Sequence, residues 1–304
     1  MMVDIVQETK TTDAAGKLLG QRVAAPKTYT PDILVAVPRT ENRDEYGITN
    51  DTFIGYDTWN CYEISFLLDN GMPLSFVGKL IYPSYSPNIV ESKSLKLYLN
   101  SFNMEKMGST IEEAKEKFTQ TVRKDLEKTL NINSDVIRFK LFSPGDDVLN
   151  AIGDIDQYFD LMSLAQDITS AVDVKENPDL LAFDPDESNY IKVSMNAMRS
   201  NCRVTHQPDW ATIFIEMKSD KAADLKSILK YIVSFRDESH FHEECVEMVF
   251  KRLKDKFNPE VLNVTALYTR RGGIDICPQR STDENHLHLS LVSDSYMQTK
   301  TIHQ

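Results

Sequence analysis

Two spacings of apolar residues divide the chain. Short runs, some alternating with polar residues, have the look of strands, and longer stretches repeat every three to four residues as helices do. Residues 1–30 show neither and read as a polar lead-in. Ile33-Leu34-Val35-Ala36-Val37 then stops at Pro38. Residues 59–68, rich in aromatic and β-branched side chains, predict a strand; Asn70-Gly71 turns it, and 74–82 return. Residues 91–103 fit either a strand or a helix. Ser109-Thr110-Ile111-Glu112 reads as a capping box that opens a helix, with Ile111, Ala114, Phe118, Val122, Leu126 and Leu130 along one face. Residues 135–142 are a further strand candidate.

Residues 143–188 change texture: Pro144-Gly145-Asp146-Asp147, Asn177-Pro178-Asp179 and Asp184-Pro185-Asp186 punctuate acidic sequence, with short helical pieces near 155–168. Beyond them 190–195 predict a strand, a loop follows, and Trp210 opens another strand. Helices are predicted over 220–235 and from His240 through Val249, Leu253 and Phe257. Strands at 261–268 and 274–277 flank the turn Arg270-Arg271-Gly272-Gly273, and the last twenty residues predict a frayed polar tail.

The halves echo each other. Residues 94–102 resemble 227–235, with one residue gapped, and a long amphipathic helix follows each. That self-similarity predicts a duplicated module: 31–142, a connection over 143–188, and 189–304. The fold class this implies is α+β.

Composition narrows the function. Of 304 residues 41% are hydrophobic and 26% charged, as in ordinary globular proteins. A net charge of −12 argues against a nucleic-acid partner, which would require a surplus of Lys and Arg. Neither a signal-peptide pattern nor a membrane-length apolar run is present, and four scattered cysteines suit a reduced, cytoplasmic chain.

Candidate chemistry centres on the stretch S-N-C-R-V-T-H-Q-P-D-W, which puts Cys202 and Asp209 on one loop entering a strand. A thiol beside a carboxylic acid suits covalent addition to a polarised multiple bond. Equally, Cys202 reads as a small buried hydrophobe and Pro208-Asp209 as a turn. Cys202, His206, His240 and His242 are also candidate zinc ligands for a cyclohydrolase-like enzyme, although H-F-H-E-E is not the H-E-x-x-H spacing. A non-catalytic tRNA-binding or assembly module is a third possibility, which the charge disfavours.

Four motifs in order, E-S-K-S-L-K-L-Y, S-N-C-x-V-T-H-Q-P-D-W, S-F-R-x-x-x-H-F-H-E and R-R-G-G-I-D-I, resemble the NADPH-dependent nitrile reductases of queuosine biosynthesis in their longer, two-module form. The resemblance spans most of 30–282. It implies tandem tunnelling-fold modules, antiparallel sheets with paired helices, acting on 7-cyano-7-deazaguanine. The duplication itself predicts that Glu91 and Cys202 of one site come from the same chain, since a fused duplicate turns an old subunit interface into a contact within the chain. Closed two-fold pairing then gives a homodimer. The resemblance implies Cys202 as the nucleophile forming a thioimide and Asp209 as the general acid. It implies Val90, Glu91, Ser92, His242 and Glu243 around the deazaguanine. Ser92, Lys93, Arg271 and Gly272 would hold NADPH, two per turnover, with no metal. Taken singly, Glu91 and Glu243 also read as helix-terminal carboxylates, and Lys93 and Arg271 as solvated surface charges. Arg203, directly after Cys202, departs from the family pattern, where an apolar residue or Pro is expected.

Overall fold

The computed structural model describes residues 26–143, 145–149, 157–170, 172–301 and 304. In chain order the strands are β1 (Ala36–Pro38), β2 (Ile54–Leu68), β3 (Pro73–Pro83), β4 (Asn88–Val90), β5 (Lys106–Gly108), β6 (Arg138–Phe142), β7 (Val148–Leu149), β8 (Phe159–Asp160), β9 (Tyr190–Asn201), β10 (Pro208–Lys218), β11 (Val261–Tyr268), β12 (Ile274–Ser281) and β13 (Met297–Gln298). The helices are α1 (Thr40–Tyr46), α2 (Ser92–Asn100), α3 (Ile111–Leu130), α4 (Leu225–Val233), α5 (His242–Phe257) and α6 (Leu289–Val292).

One nine-stranded, mostly antiparallel sheet runs β6-β3-β2-β12-β11-β10-β9-β8, with β5 beside β2. The halves meet at an antiparallel ladder from Ile274↔Cys61 to Ser281↔Ile54. Helices α2 and α3 pack on the β2–β3 half through Phe66, Leu95, Phe118 and Val122. Helices α4 and α5 pack on the β9–β11 half through Ile213, Ile228, Val249 and Leu253. The seam is interleaved: Ile276 lies in the first core, while Ile48 and Phe53, from the N-terminal segment, lie in the second.

The ambiguous stretch 91–103 is helical because Glu91 caps it, its carboxylate accepting from the amides of Lys93 and Ser94. The box before α3 sits one residue later than its sequence suggested, since Thr110 accepts from Glu113 N. The repeat is physical, and it needs no gap. Ser94 Oγ donates to Glu91 O at 2.6 Å and accepts from Val35 N at 3.1 Å. Ser227 Oγ donates to Asp224 O at 2.6 Å and accepts from Ala182 N at 3.1 Å. Ser101 and Ser234 donate to the carbonyls of Tyr98 and Tyr231, each at 2.6 Å. The amide partners follow matching 3₁₀ turns, Pro31–Ile33 and Pro178–Leu180. Residues 177–181, expected in the connection, therefore belong structurally to the second repeat. Within 155–168 the described helical piece is a 3₁₀ turn, Leu161–Asp167; Ile155, Pro144 and residues 1–25 lie outside the described residues.

The C-terminal segment corrects the frayed-tail expectation: it docks on the sheet face opposite the helices. The buried Lys79 ammonium donates to the carbonyls of Ser290, Ser293 and Tyr296 at 2.6, 2.7 and 3.0 Å. Leu291 is fully buried, and Lys300 pairs with buried Asp275 at 3.2 Å. The segment stays down because its carbonyls and Lys300 meet buried polar groups of that face, while Leu291 clusters with Phe214, Leu267 and Cys277.

Candidate active site

The loop 202–207 is a tight hairpin between β9 and β10. Cys202 N donates to Gln207 O at 2.8 Å and His206 N to Cys202 O at 2.9 Å. His206 closes it in the left-handed region, φ 54°. Among four free cysteines Cys202 alone is partly exposed, and Cys61, Cys245 and Cys277 are buried. Arg203 turns away: its guanidinium meets Glu244 at 2.8 Å and Glu41 at 3.7 Å, so its charge is taken up outside the cavity.

Asp209 is the first buried residue of β10, on the helix-bearing face. Arg271 Nη1 reaches one carboxylate oxygen at 3.0 Å and His242 Nε2 the other at 3.3 Å. His242 stacks on Tyr268 with centroids 3.8 Å apart and planes 9° apart, and its buried Nδ1 has no hydrogen-bond partner among the described residues.

At the start of α5 two adjacent glutamates divide the work. Glu244 folds back to accept from Phe241 N at 2.9 Å, capping the helix. Glu243 is 2% exposed, and its Oε1 has no hydrogen-bond partner among the described residues. Burial, then the charge of Asp57, pushes its carboxyl up to about 8, against the pull of Arg39 and Arg280. One helical turn on, Glu247 is held down at about 2: burial opposes its charge, but Arg280, Arg43 and Arg39 outweigh burial. This buried cluster joins Arg280 to Asp57 and Glu247, each at 2.8 Å, and Arg43 to Glu247 at 2.6 Å, with Arg39 between the same acids. Three guanidiniums face two carboxylates, and Glu243, if ionised, would balance the charge. This cluster has no signature in the sequence, because its members are scattered over 39–280.

The candidate zinc ligand His240 sits between two carboxylates. Its ring nitrogens face Glu238 and Glu244 at 3.4 and 3.6 Å. Burial disfavours its charge, but the two facing carboxylates outweigh burial and raise it to about 9. His206 Nδ1 instead meets Ser239 Oγ at 3.2 Å. Among the described residues no group of three or more His, Cys, Asp or Glu side chains is arranged to hold a metal ion.

Nine of the ten expected site residues line one cavity of ≈ 260 Å³: Val90, Ser92, Lys93, Cys202, Asp209, His242, Glu243, Arg271 and Gly272. The exception is Glu91, whose two oxygens accept from Lys93 N and Ser94 N at 2.8 Å each, behind the wall that its neighbours form. The cavity lies between the N-termini of α2, from one half, and α5, from the other, with Trp59, Ile274 and Ile276 as an apolar floor. Sequence reasoning missed Trp59, Ile276 and Lys96 here, since isolated apolar and basic positions carry no motif of their own.

Residues 25–137 match the family model for the N-terminal part of nitrile reductase, 7-cyano-7-deazaguanine reductase, and residues 208–286 match a model described as QueF-like protein. The chain is 36% identical over 269 residues to the NADPH-dependent 7-cyano-7-deazaguanine reductase of Acinetobacter baumannii strain ATCC 17978, covering 88% of this chain and 93% of that one. For the protein of that name in Desulfotalea psychrophila the values are 38% over 274 residues, 90% and 95%. For that of Rickettsia bellii they are 39% over 276 residues, 88% and 93%. With likeness of this degree over nearly the whole length, the chain belongs to the NADPH-dependent 7-cyano-7-deazaguanine reductase family.

Proposed function

We propose that this chain reduces the nitrile of 7-cyano-7-deazaguanine to the primary amine with NADPH, as a step of queuosine biosynthesis, through a covalent thioimide on Cys202. One observation carries the reading: Glu243, a buried carboxylate with an unpaired oxygen, shares a cavity with the only partly exposed thiol. A guanine-type base presents adjacent N–H and NH₂ donors, which one carboxylate accepts as a bidentate pair. Glu243 takes that edge, with His242 beside it, and Val90, Trp59 and Ile276 sandwich the apolar ring. Glu91 acts on this site indirectly, by fixing the start of α2 and hence Ser92 and Lys93.

Cys202 Sγ adds to the nitrile carbon. A carbon–sulfur bond forms, one carbon–nitrogen π bond is lost, and the thiol proton ends on nitrogen. Asp209 is the carrier: its carboxylate receives the proton from sulfur and delivers it to nitrogen. Arg271 and His242 orient that carboxylate, and His242 is placed to replenish it. NADPH, when bound, supplies the hydride for each of the two successive two-electron reductions. The cavity fits its charged groups, since Lys93, Lys96 and Arg271 line it and Gly272, at φ 56°, brings bare backbone to the rim.

We further read the halves as tandem tunnelling-fold modules and the assembly as a homodimer with each site within one chain. The matched serine contacts of α2 and α4 support the first reading, and a cavity walled by both halves of one chain supports the last. Mass spectrometry tests the mechanism. Wild type with substrate and no cofactor gains one covalent adduct, lost in Cys202→Ala, which still binds the base. An adduct that persists in Cys202→Ala contradicts the assignment.

A further inference from the structure

A dinucleotide cannot lie wholly in this cavity. At ≈ 260 Å³ it is smaller than pockets enclosing a single drug-sized ligand, about 300–1,000 Å³. The cavity must hold the reacting base and the nicotinamide, so the rest of the cofactor passes over the rim. That rim includes Thr269, Arg271 and Gly272, and Thr269 N donates to Trp210 O at 2.9 Å.

Trp210 directly follows Asp209 in β10, so its side chain emerges on the opposite face of the sheet. It is 37% exposed, whereas the other tryptophan, Trp59, is buried. Arg199 is its partner across the ladder. The guanidinium carbons of Arg199 and Arg236 lie 6.0 and 5.3 Å from the indole centroid. Arg199 donates to Arg236 O at 2.9 Å and to Asn201 Oδ1 at 3.0 Å, which fixes the pair. Arg270, next to the rim, is exposed and lies 4.6 Å over Tyr62. Among the described residues none of these three guanidiniums forms an ion pair with a carboxylate. In a chain with 46 acidic and 34 basic residues, two arginines on one exposed indole and a third beside the cavity rim, none paired with a carboxylate among the described residues, are a surplus of positive charge. Guanidiniums already ordered on aromatic rings lose little freedom on meeting a phosphate, and their planes stack on bases.

We propose that Arg199, Trp210, Arg236 and Arg270 bind the phosphorylated adenosine end of NADPH. The guanidiniums take its 2′-phosphate, and the adenine lies against the exposed indole and guanidinium planes. An RNA strand offers similar groups, but the net charge of −12 repels a polyanion and favours a small ligand. The proposal rests on the NADPH-dependent reading above and adds the determinant that distinguishes NADPH from NADH.

The test uses the full chain and adenosine 2′,5′-bisphosphate, which carries the 2′-phosphate and no nicotinamide. It should quench the Trp210 fluorescence saturably, and Arg236→Gln should weaken that binding about tenfold or more, the scale of one charge-assisted hydrogen bond. In turnover, Arg236→Gln should raise the KM for NADPH similarly, leave kcat within about twofold, and leave the KM for NADH unchanged. Arg236→Lys should recover part of the loss. The inference is overturned if NADPH binds and is consumed while the bisphosphate causes no saturable quench, or if Arg236→Gln keeps the wild-type preference for NADPH over NADH. If wild type neither binds nor oxidises NADPH with the nitrile present, the functional reading itself has failed.

Discussion

Replacing Glu243 by Gln should stabilise the empty protein at high pH while removing base binding. Burial and the Asp57 charge move this carboxyl from 4.5 to about 8 in the folded state. Below pH 4.5 both folded and unfolded chains carry the proton, so Glu243 has no effect through its charge. Between 4.5 and 8 the unfolded chain ionises while the folded one keeps its proton, and wild-type stability falls as pH rises. At about 1.4 kcal/mol per pH unit, the full displacement corresponds to roughly 4–5 kcal/mol, reached near pH 8. Gln cannot ionise. Its buried amide costs about 1–3 kcal/mol if left unpaired, but that cost does not depend on pH. The assay is urea denaturation of both proteins at pH 5, 6, 7 and 8. Other titrating groups cancel in the difference, which should move in the variant's favour by several kcal/mol from pH 5 to 8. Added 7-cyano-7-deazaguanine should then raise the stability of wild type and not of Glu243→Gln. A difference that stays flat with pH would refute the claim that an ionisable, strained carboxylate is built into the cavity.

Asp209→Asn should lower kcat by about 10²–10⁴-fold with little change in substrate binding, read by steady-state kinetics and calorimetry; an unchanged kcat would remove the proton-carrier role. Loss of the Glu91 cap displaces Ser92 and Lys93, so the Glu91→Ala homodimer should fall well below wild type; if each site lies within one chain, a mixed dimer of differently tagged Glu91→Ala and Cys202→Ala chains should keep no more than half of that reduced activity. Recovery of about half the wild-type activity would mean that sites form across chains.

The lining of the cavity was more legible in the sequence than the architecture that carries it. Cys202 and Asp209 could be paired on paper because a hairpin keeps neighbours in sequence close in space. Ser92-Lys93 and His242-Glu243 were legible because each is a short motif at a helix start. Glu91 shows the limit: a carboxylate preceding a helix reads as a cap or as a ligand contact, and it takes the positions of the Lys93 and Ser94 amides to show that this one caps. The Arg39, Arg43, Arg280, Asp57 and Glu247 cluster was illegible because its five members come from separate elements, and charge in a sequence ordinarily signals solvent. The second repeat was found from 227 onward, yet its start was legible too. Thr30-Pro31-Asp32-Ile33-Leu34 and Asn177-Pro178-Asp179-Leu180-Leu181 are near copies, and both deliver a backbone amide to a helix serine. The docked C-terminal segment was misjudged because its polarity looked like exposure, when its partners are the equally polar Lys79 and Asp275.

The central claim is that this cavity carries out a four-electron reduction of a nitrile. The most direct measurement follows NADPH absorbance with purified protein while the product is quantified by mass spectrometry. With 7-cyano-7-deazaguanine present, two NADPH should be oxidised for each aminomethyl product formed, and none without it. No substrate-dependent oxidation, or oxidation without the amine, would contradict the account.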